Sequence, residues 1–191
     1  MIQQCKFTED TKNYLSCFYT ILNEMIEGMD SAKLTDSISH NFIVQMIPHH
    51  RAAIQMSQNV LQYSICKPLQ KIAKNIITAQ TASINSMREV LQNCSSHTST
   101  ERDICLHQHR HDIITRNMFE KMDTACSDNN ISANFMREMI PHHMGAVEMS
   151  KNTLRYEICP QLNPILQAII SSQEKGIREM SCLLGISVPN L

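Results

Sequence analysis

Two pairs of adjacent histidines, each behind a proline and flanked by methionines, are the residues of this chain best equipped for chemistry. The first stretch is Met46-Ile47-Pro48-His49-His50, continuing to Met56 and Ser57; the second is Met139-Ile140-Pro141-His142-His143, continuing to Met149 and Ser150. On a helix, residues three and four apart are neighbours, so the Met46 thioether can lie beside either His49 or His50. His49 and Met56 share a face, while His50 is rotated by about 100° and could complete a ligand set or hydrogen-bond to a neighbouring helix. Thioether and imidazole together suit a soft or borderline ion, Cu(I) above all; Cu(II), Zn and Ni would favour the imidazoles alone. The metal candidates are Met46, His49, His50 and Met56, with Met139, His142, His143 and Met149. A methionine stripe by itself is ordinary core filling, because Met adapts to irregular gaps. A His pair at a proline, doubled, is a stronger pattern.

The two stretches lie 93 positions apart, and the same offset pairs Phe42 with Phe135, Tyr63 with Tyr156 and Cys66 with Cys159. An ungapped register of that length predicts two related helical units, 1–93 and 94–191, packed as one compact body. The offset also places His107 and His111 where the first copy has Tyr14 and Phe18, followed by Met118 and Met122. Those four form a weaker metal candidate, since the histidines have no counterpart in the first copy.

Composition narrows the alternatives. The chain has 191 residues, 42% hydrophobic, with 13 Met against 4 Gly and 6 Pro, which predicts an all-α fold. Seventeen basic against eighteen acidic residues give no electrostatic reason to expect nucleic acid. No apolar run is long enough to span a bilayer. The residues Met1 to Asp10 contain no apolar leader core, so the sequence as it stands reads as cytoplasmic, and as periplasmic or extracellular if a leader has been removed. The eight cysteines, Cys5, Cys17, Cys66, Cys94, Cys105, Cys126, Cys159 and Cys182, form no CxxC pair, and free thiols are the economical reading. A di-iron carboxylate centre needs Glu-x-x-His, which does not occur, and neither a His-Glu-x-x-His motif nor a phosphate-binding glycine loop is present. The expectation is a non-enzymatic protein.

The elements that must position the clusters follow from apolar spacing. A first helix is predicted over 8–28, with Tyr14, Phe18, Met25 and Met29 inward. A second, capped at Thr35, Asp36 or Ser37, runs to about Tyr63 with Phe42, Met46, His49, Ala53, Met56 and Val60 on one face. Pro68 opens a third, and Asn93 to Ser99 is the linker. In the second copy, Thr98 and Glu101 have capping-box spacing, Asp128 or Asn129 caps the long helix, and Cys159 and Pro160 start the last. Pro48 and Pro141 lie inside the long helices, where each removes a backbone donor and predicts a kink at the His pair. The four central helices are expected to be the second and third of each copy.

At Met46 to His50, with Ala53 and Met56, the sequence resembles the DUF305 family, and Met139 to His143 with Ala146 and Met149 repeats the motif. Gln80 with Met87, and Gln173 with Met180, match its later part. The resemblance implies a ferritin-like four-helix bundle core and, for some members, periplasmic copper binding linked to resistance. The Asp of the family's Ala-Ile-Asp-Met run is Gln55 and Glu148 here, and the Glu usual in the following helix is Ser83 and Gly176. The reading is a metal-binding bundle, copper first. The alternative is a structural or protein-interaction bundle with core histidines and no metal, either one with a homo-oligomeric or other protein partner.

Overall fold

Apolar stripes at three- and four-residue spacing become six helices in the computed structural model, which describes residues 6–189: α1 (Glu9–Asp30), α2 (Ile38–Tyr63), α3 (Lys67–Ser95), α4 (Glu101–Asp123), α5 (Ile131–Thr153) and α6 (Asn163–Leu184). Among the described residues there is no strand. Helix α2 packs against α3 and α5, and α6 packs against α5 and α3, which closes a four-helix core; α1 lies on α2, and α4 on α5. The inward stripes are those the spacing predicts: Phe42, Met46, His49, Ala53, Met56 and Val60 from α2 are buried, as are Phe135, Met139, His142, Ala146 and Met149 from α5. His109 is exposed while His107 and His111 are buried. No described helix is long and apolar enough to cross a membrane.

The chain's internal repetition extends to its contacts. The Asn59 side-chain amide donates to the Tyr14 carbonyl at 3.0 Å, and Asn152 donates to the His107 carbonyl at 3.1 Å. Tyr14 meets Tyr63 edge-on at 6.3 Å, and His107 meets Tyr156 edge-on at 5.6 Å. Each pair between α1 and α2 thus recurs 93 residues later, between α4 and either α5 or the turn that follows it. A cross-tie joins the copies, the Cys159 N–H donating to Ser39 at 2.9 Å, next to Ser37, which donates to the Cys94 carbonyl of α3 at 2.7 Å. Burial and a hydrogen bond with Cys159 push the Cys94 thiol up to about 12. The seven described cysteines are free thiols; Cys5 lies outside the described residues.

Helix ends differ from the sequence expectations where several capping residues compete. Ser37 caps α2, accepting from His40 N–H. Helix α4 is capped by Thr100 rather than Thr98, because Thr100 both accepts from Asp103 N–H and donates to the Asp103 carboxylate at 2.8 Å. Asn130 caps α5 rather than Asp128 or Asn129; Asp128 instead accepts from the Asn130 N–H. Helix α1 continues through Gly28 to Asp30, since a Cβ at Gly28 would come within 2.9 Å of the Pro48 ring, so glycine there serves a close helix contact. Helix α3 runs on to Ser95, shortening the linker. Helix α5 stops at Thr153, leaving Tyr156 in a turn. Helix α6 starts at Asn163 rather than at Cys159 and Pro160, because the Leu162 N–H closes a turn on the Cys159 carbonyl and Pro164 fits the first helical turn.

Candidate metal centre

The two copies meet at their histidines. Facing positions on α2 and α5 bring the His49 and His142 rings together, with centroids 3.7 Å apart and planes inclined by 31°. His50 lies 5.9 Å from His49, and His143 lies 6.0 Å from His142, so four rings form one continuous row through the core. All four are buried, none more than 2% exposed. Met46, Met56, Met139 and Met149 are buried on the same two helices. The four predicted histidines are thereby gathered into the centre of the bundle, around one junction rather than two.

Hydrogen bonds settle part of the chemistry. His142 Nε2 lies 3.1 Å from the His49 carbonyl, which can only accept, so Nε2 carries the proton and Nδ1 keeps its lone pair. His49 Nε2 lies 3.3 Å from the Met118 sulfur, and His50 Nε2 lies 3.0 Å from the Ser83 hydroxyl. The Nδ1 atoms of His49, His50, His142 and His143 are buried without a hydrogen-bond partner. Burial lowers the basicity of every ring, and neighbouring imidazoles lower it further at His49, His50 and His143: His50 is held down to about 3, His142 to about 4 against the opposing hydrogen bond to the His49 backbone, and His49 and His143 well below the usual histidine range. These are neutral imidazoles at physiological pH. A neutral ring with a free lone pair is a metal ligand in waiting or a polar group left at a cost of about 1–3 kcal/mol.

The Met118 contact was not readable from the repeat. Sequence spacing grouped Met118 with His107, His111 and Met122, yet its thioether crosses from α4 to a histidine of α2. Gly145 makes room, because a Cβ there would sit 2.2 Å from the Met118 sulfur. Among the described residues, no three side chains drawn from His, Cys, Asp and Glu are gathered where they could hold an ion. His107 and His111 form a separate pair, 6.1 Å apart. His107 Nε2 is taken by the Thr153 hydroxyl at 3.0 Å, whereas both His111 nitrogens are buried without partners. Burial holds both rings down to about 4, and the neighbouring His111 adds to the effect at His107.

One buried pair escaped the sequence reading altogether. The Tyr14 hydroxyl donates to the Glu138 carboxylate in a short hydrogen bond across the copies. Burial raises the Glu138 carboxyl to about 7, against the opposing influence of Tyr14 and Arg137. A signal existed: Glu138 is Gln45 in the first copy and Tyr14 is His107 in the second, so the repeat breaks at both partners together.

A family model described as "Domain of unknown function (DUF305)" matches residues 39–184. No curated protein matches the chain. Among solved structures, a DUF305 fragment from Deinococcus radiodurans is 22% identical, covering 81% of this chain and 97% of its own, with a TM-score of 0.56. CopM in the Ag-bound form, obtained by soaking, is 27% identical, covering 79% and 97% respectively, with a TM-score of 0.59.

Proposed function

The chain belongs to the DUF305 family, and we propose that it binds a soft monovalent metal ion, Cu(I) first, at a single centre shared by residues 1–93 and 94–191. The observation that carries the reading is the junction of His49, His142 and Met118: two neutral buried imidazoles with ring centroids 3.7 Å apart, and a thioether 3.3 Å from His49 Nε2. Such a donor set matches Cu(I) and its heavier relative Ag(I) better than Zn or Ni, which would call for a purely imidazole or carboxylate set. The silver-bound state of CopM, a 27% identical neighbour, supports the same chemistry. Met46, Met56, Met139 and Met149 would supply further sulfur, while His50 and His143 would complete or orient the set. Binding and retention, not turnover, is the activity this arrangement supports. The buried rings are too weakly basic to shuttle protons near neutrality.

A second reading makes the histidines structural. It draws on His50 and His107, whose Nε2 atoms already find hydroxyl partners at 3.0 Å. X-ray absorption on the Cu(I)-loaded protein separates the two. The metal reading expects nitrogen and sulfur neighbours together. The volume-conserving Met118→Leu variant should lose sulfur from that shell and bind about tenfold or more weakly while staying folded. A nitrogen-only shell with unchanged affinity in the variant would exclude Met118 as a ligand.

A further inference from the structure

The repeat is least symmetric beside the outer histidines. His50 is covered by Ser83, but the residue 93 positions later is Gly176, which has no side chain to offer His143. A Cβ at Gly176 would come within 2.8 Å of the His143 ring. The ring edge consequently borders a groove of about 270 Å³ between α3 and α6, lined by Ile76, Ala79, Gln80, His143, Gln173 and Gly176 among others. That volume is several times the ~30 Å³ share of one liquid water. His143 turns its Cδ2–Nε2 edge towards Gly176, with the partnerless Nδ1 on the far side of the ring, and the Oε1 atoms of the groove-lining Gln80 and Gln173, each 3% exposed, are also buried without partners. Buried acceptors of this kind are ones that water or a cation in the groove would satisfy.

We propose that the groove between α3 and α6 is the port through which a soft monovalent cation reaches the His49 and His142 pair, with His143 the first side chain to meet it. This rests on the metal-binding reading above. The row of rings gives the route, 6.0 Å from His143 to His142 and then 3.7 Å to His49. An approach from the Met118 side is poorer. A depression lined by Asn117, Met118, Pro141 and Gly145 measures only about 40 Å³, and the Met118 side chain itself forms its wall. Gly176 is thus a positioning residue: it keeps the His143 edge open to the groove.

The port is tested by loading kinetics. Anaerobic Cu(I), supplied as its acetonitrile complex, is mixed with the protein and quenched at intervals with excess bicinchoninate; equilibrium affinity is measured separately by competition. Ala79 and Ser172 are exposed residues lining the groove, so the double variant Ala79→Leu/Ser172→Leu obstructs it without disturbing the core. Its loading rate is expected to fall about tenfold or more, with affinity within about twofold of native. Gly176→Ala is expected to slow loading in the same sense. Asn117→Leu, over the small depression, is expected to load at the native rate. Native loading rates in the Ala79→Leu/Ser172→Leu variant, or slow loading only in Asn117→Leu, would overturn the port and leave the metal centre standing. Loss of affinity without a change in rate would make the groove part of the equilibrium site and overturn the port equally. Absence of Cu(I) binding by the native chain would remove both the centre and its port.

Discussion

The metal-free chain is expected to unfold as the pH falls from about 6.5 towards 4. Its buried histidines are neutral in the fold: His50 is held down to about 3, and His142, His107 and His111 to about 4. In the unfolded chain each titrates near its free value of about 6.5. Because the folded values are depressed, the stability these groups permit is complete above about 6.5 and declines as the pH falls, the unfolded state taking up protons that the fold refuses. A shift like that of His142 corresponds to a loss of about 3 kcal/mol once the pH reaches its folded value. Two or three such groups together rival the ~5–15 kcal/mol net stability of an ordinary domain. Repulsion between neighbouring rings sharpens the effect, since protonating one disfavours the next. Far-UV circular dichroism against pH reads the transition, which should move to lower pH when Cu(I) is bound, because protons and metal compete for the same nitrogens. A metal-free chain that keeps its helicity down to pH 3.5 would show that the histidine row is not sealed from water.

Replacing Glu138 by glutamine should stabilise the protein in alkaline solution. The Glu138 carboxyl, 2% exposed, is raised to about 7 by burial. The sign is opposite in consequence to that of the histidines. Between its ordinary value of about 4.5 and 7 the unfolded chain gives up this proton while the fold retains it, so stability falls as the pH rises, reaching a cost of about 3 kcal/mol above pH 7. Glutamine cannot ionise, and its amide oxygen can still accept from the Tyr14 hydroxyl. Urea denaturation should therefore show Glu138→Gln more stable by about 1 kcal/mol at pH 5.5 and about 3 kcal/mol at pH 8. A variant destabilised equally at both pH values would mean that the carboxylate is held by its partners rather than penalised by burial.

Much of this architecture was legible in periodicity. The three-and-four spacing of Phe42, Met46, His49, Ala53 and Met56 gave the face of α2, and the 93-residue offset carried the same face to α5. Helix existence was therefore clear. Helix ends were less so, because clusters such as Thr98-Ser99-Thr100 before α4 offer several oxygens, and only the partner's position decides which of them caps. The junction of His49 with His142 could not be read at all from spacing within one copy; it depends on how the copies face each other. Met118 escaped for the same reason, since its neighbour lies 69 residues away on another helix. Gly145 and Gly176 escaped because they act by what they lack, and a missing side chain leaves no periodic trace. The departures from the repeat carried more information than the repeat: Gly176 opposite Ser83, and Glu138 opposite Gln45, mark the groove and the buried acid.

The central claim is that the histidine row binds metal, and an anaerobic Cu(I) titration against a chromophoric chelating competitor tests it most directly. The native chain is compared with the variant His49→Ala/His50→Ala/His142→Ala/His143→Ala, whose helicity is checked by circular dichroism at pH 7.5. Tight native binding that weakens by about a hundredfold or more in a still-folded variant is the predicted result. Equal affinity in the two proteins, or no binding by either, would contradict it and return the four histidines to the structure of the core.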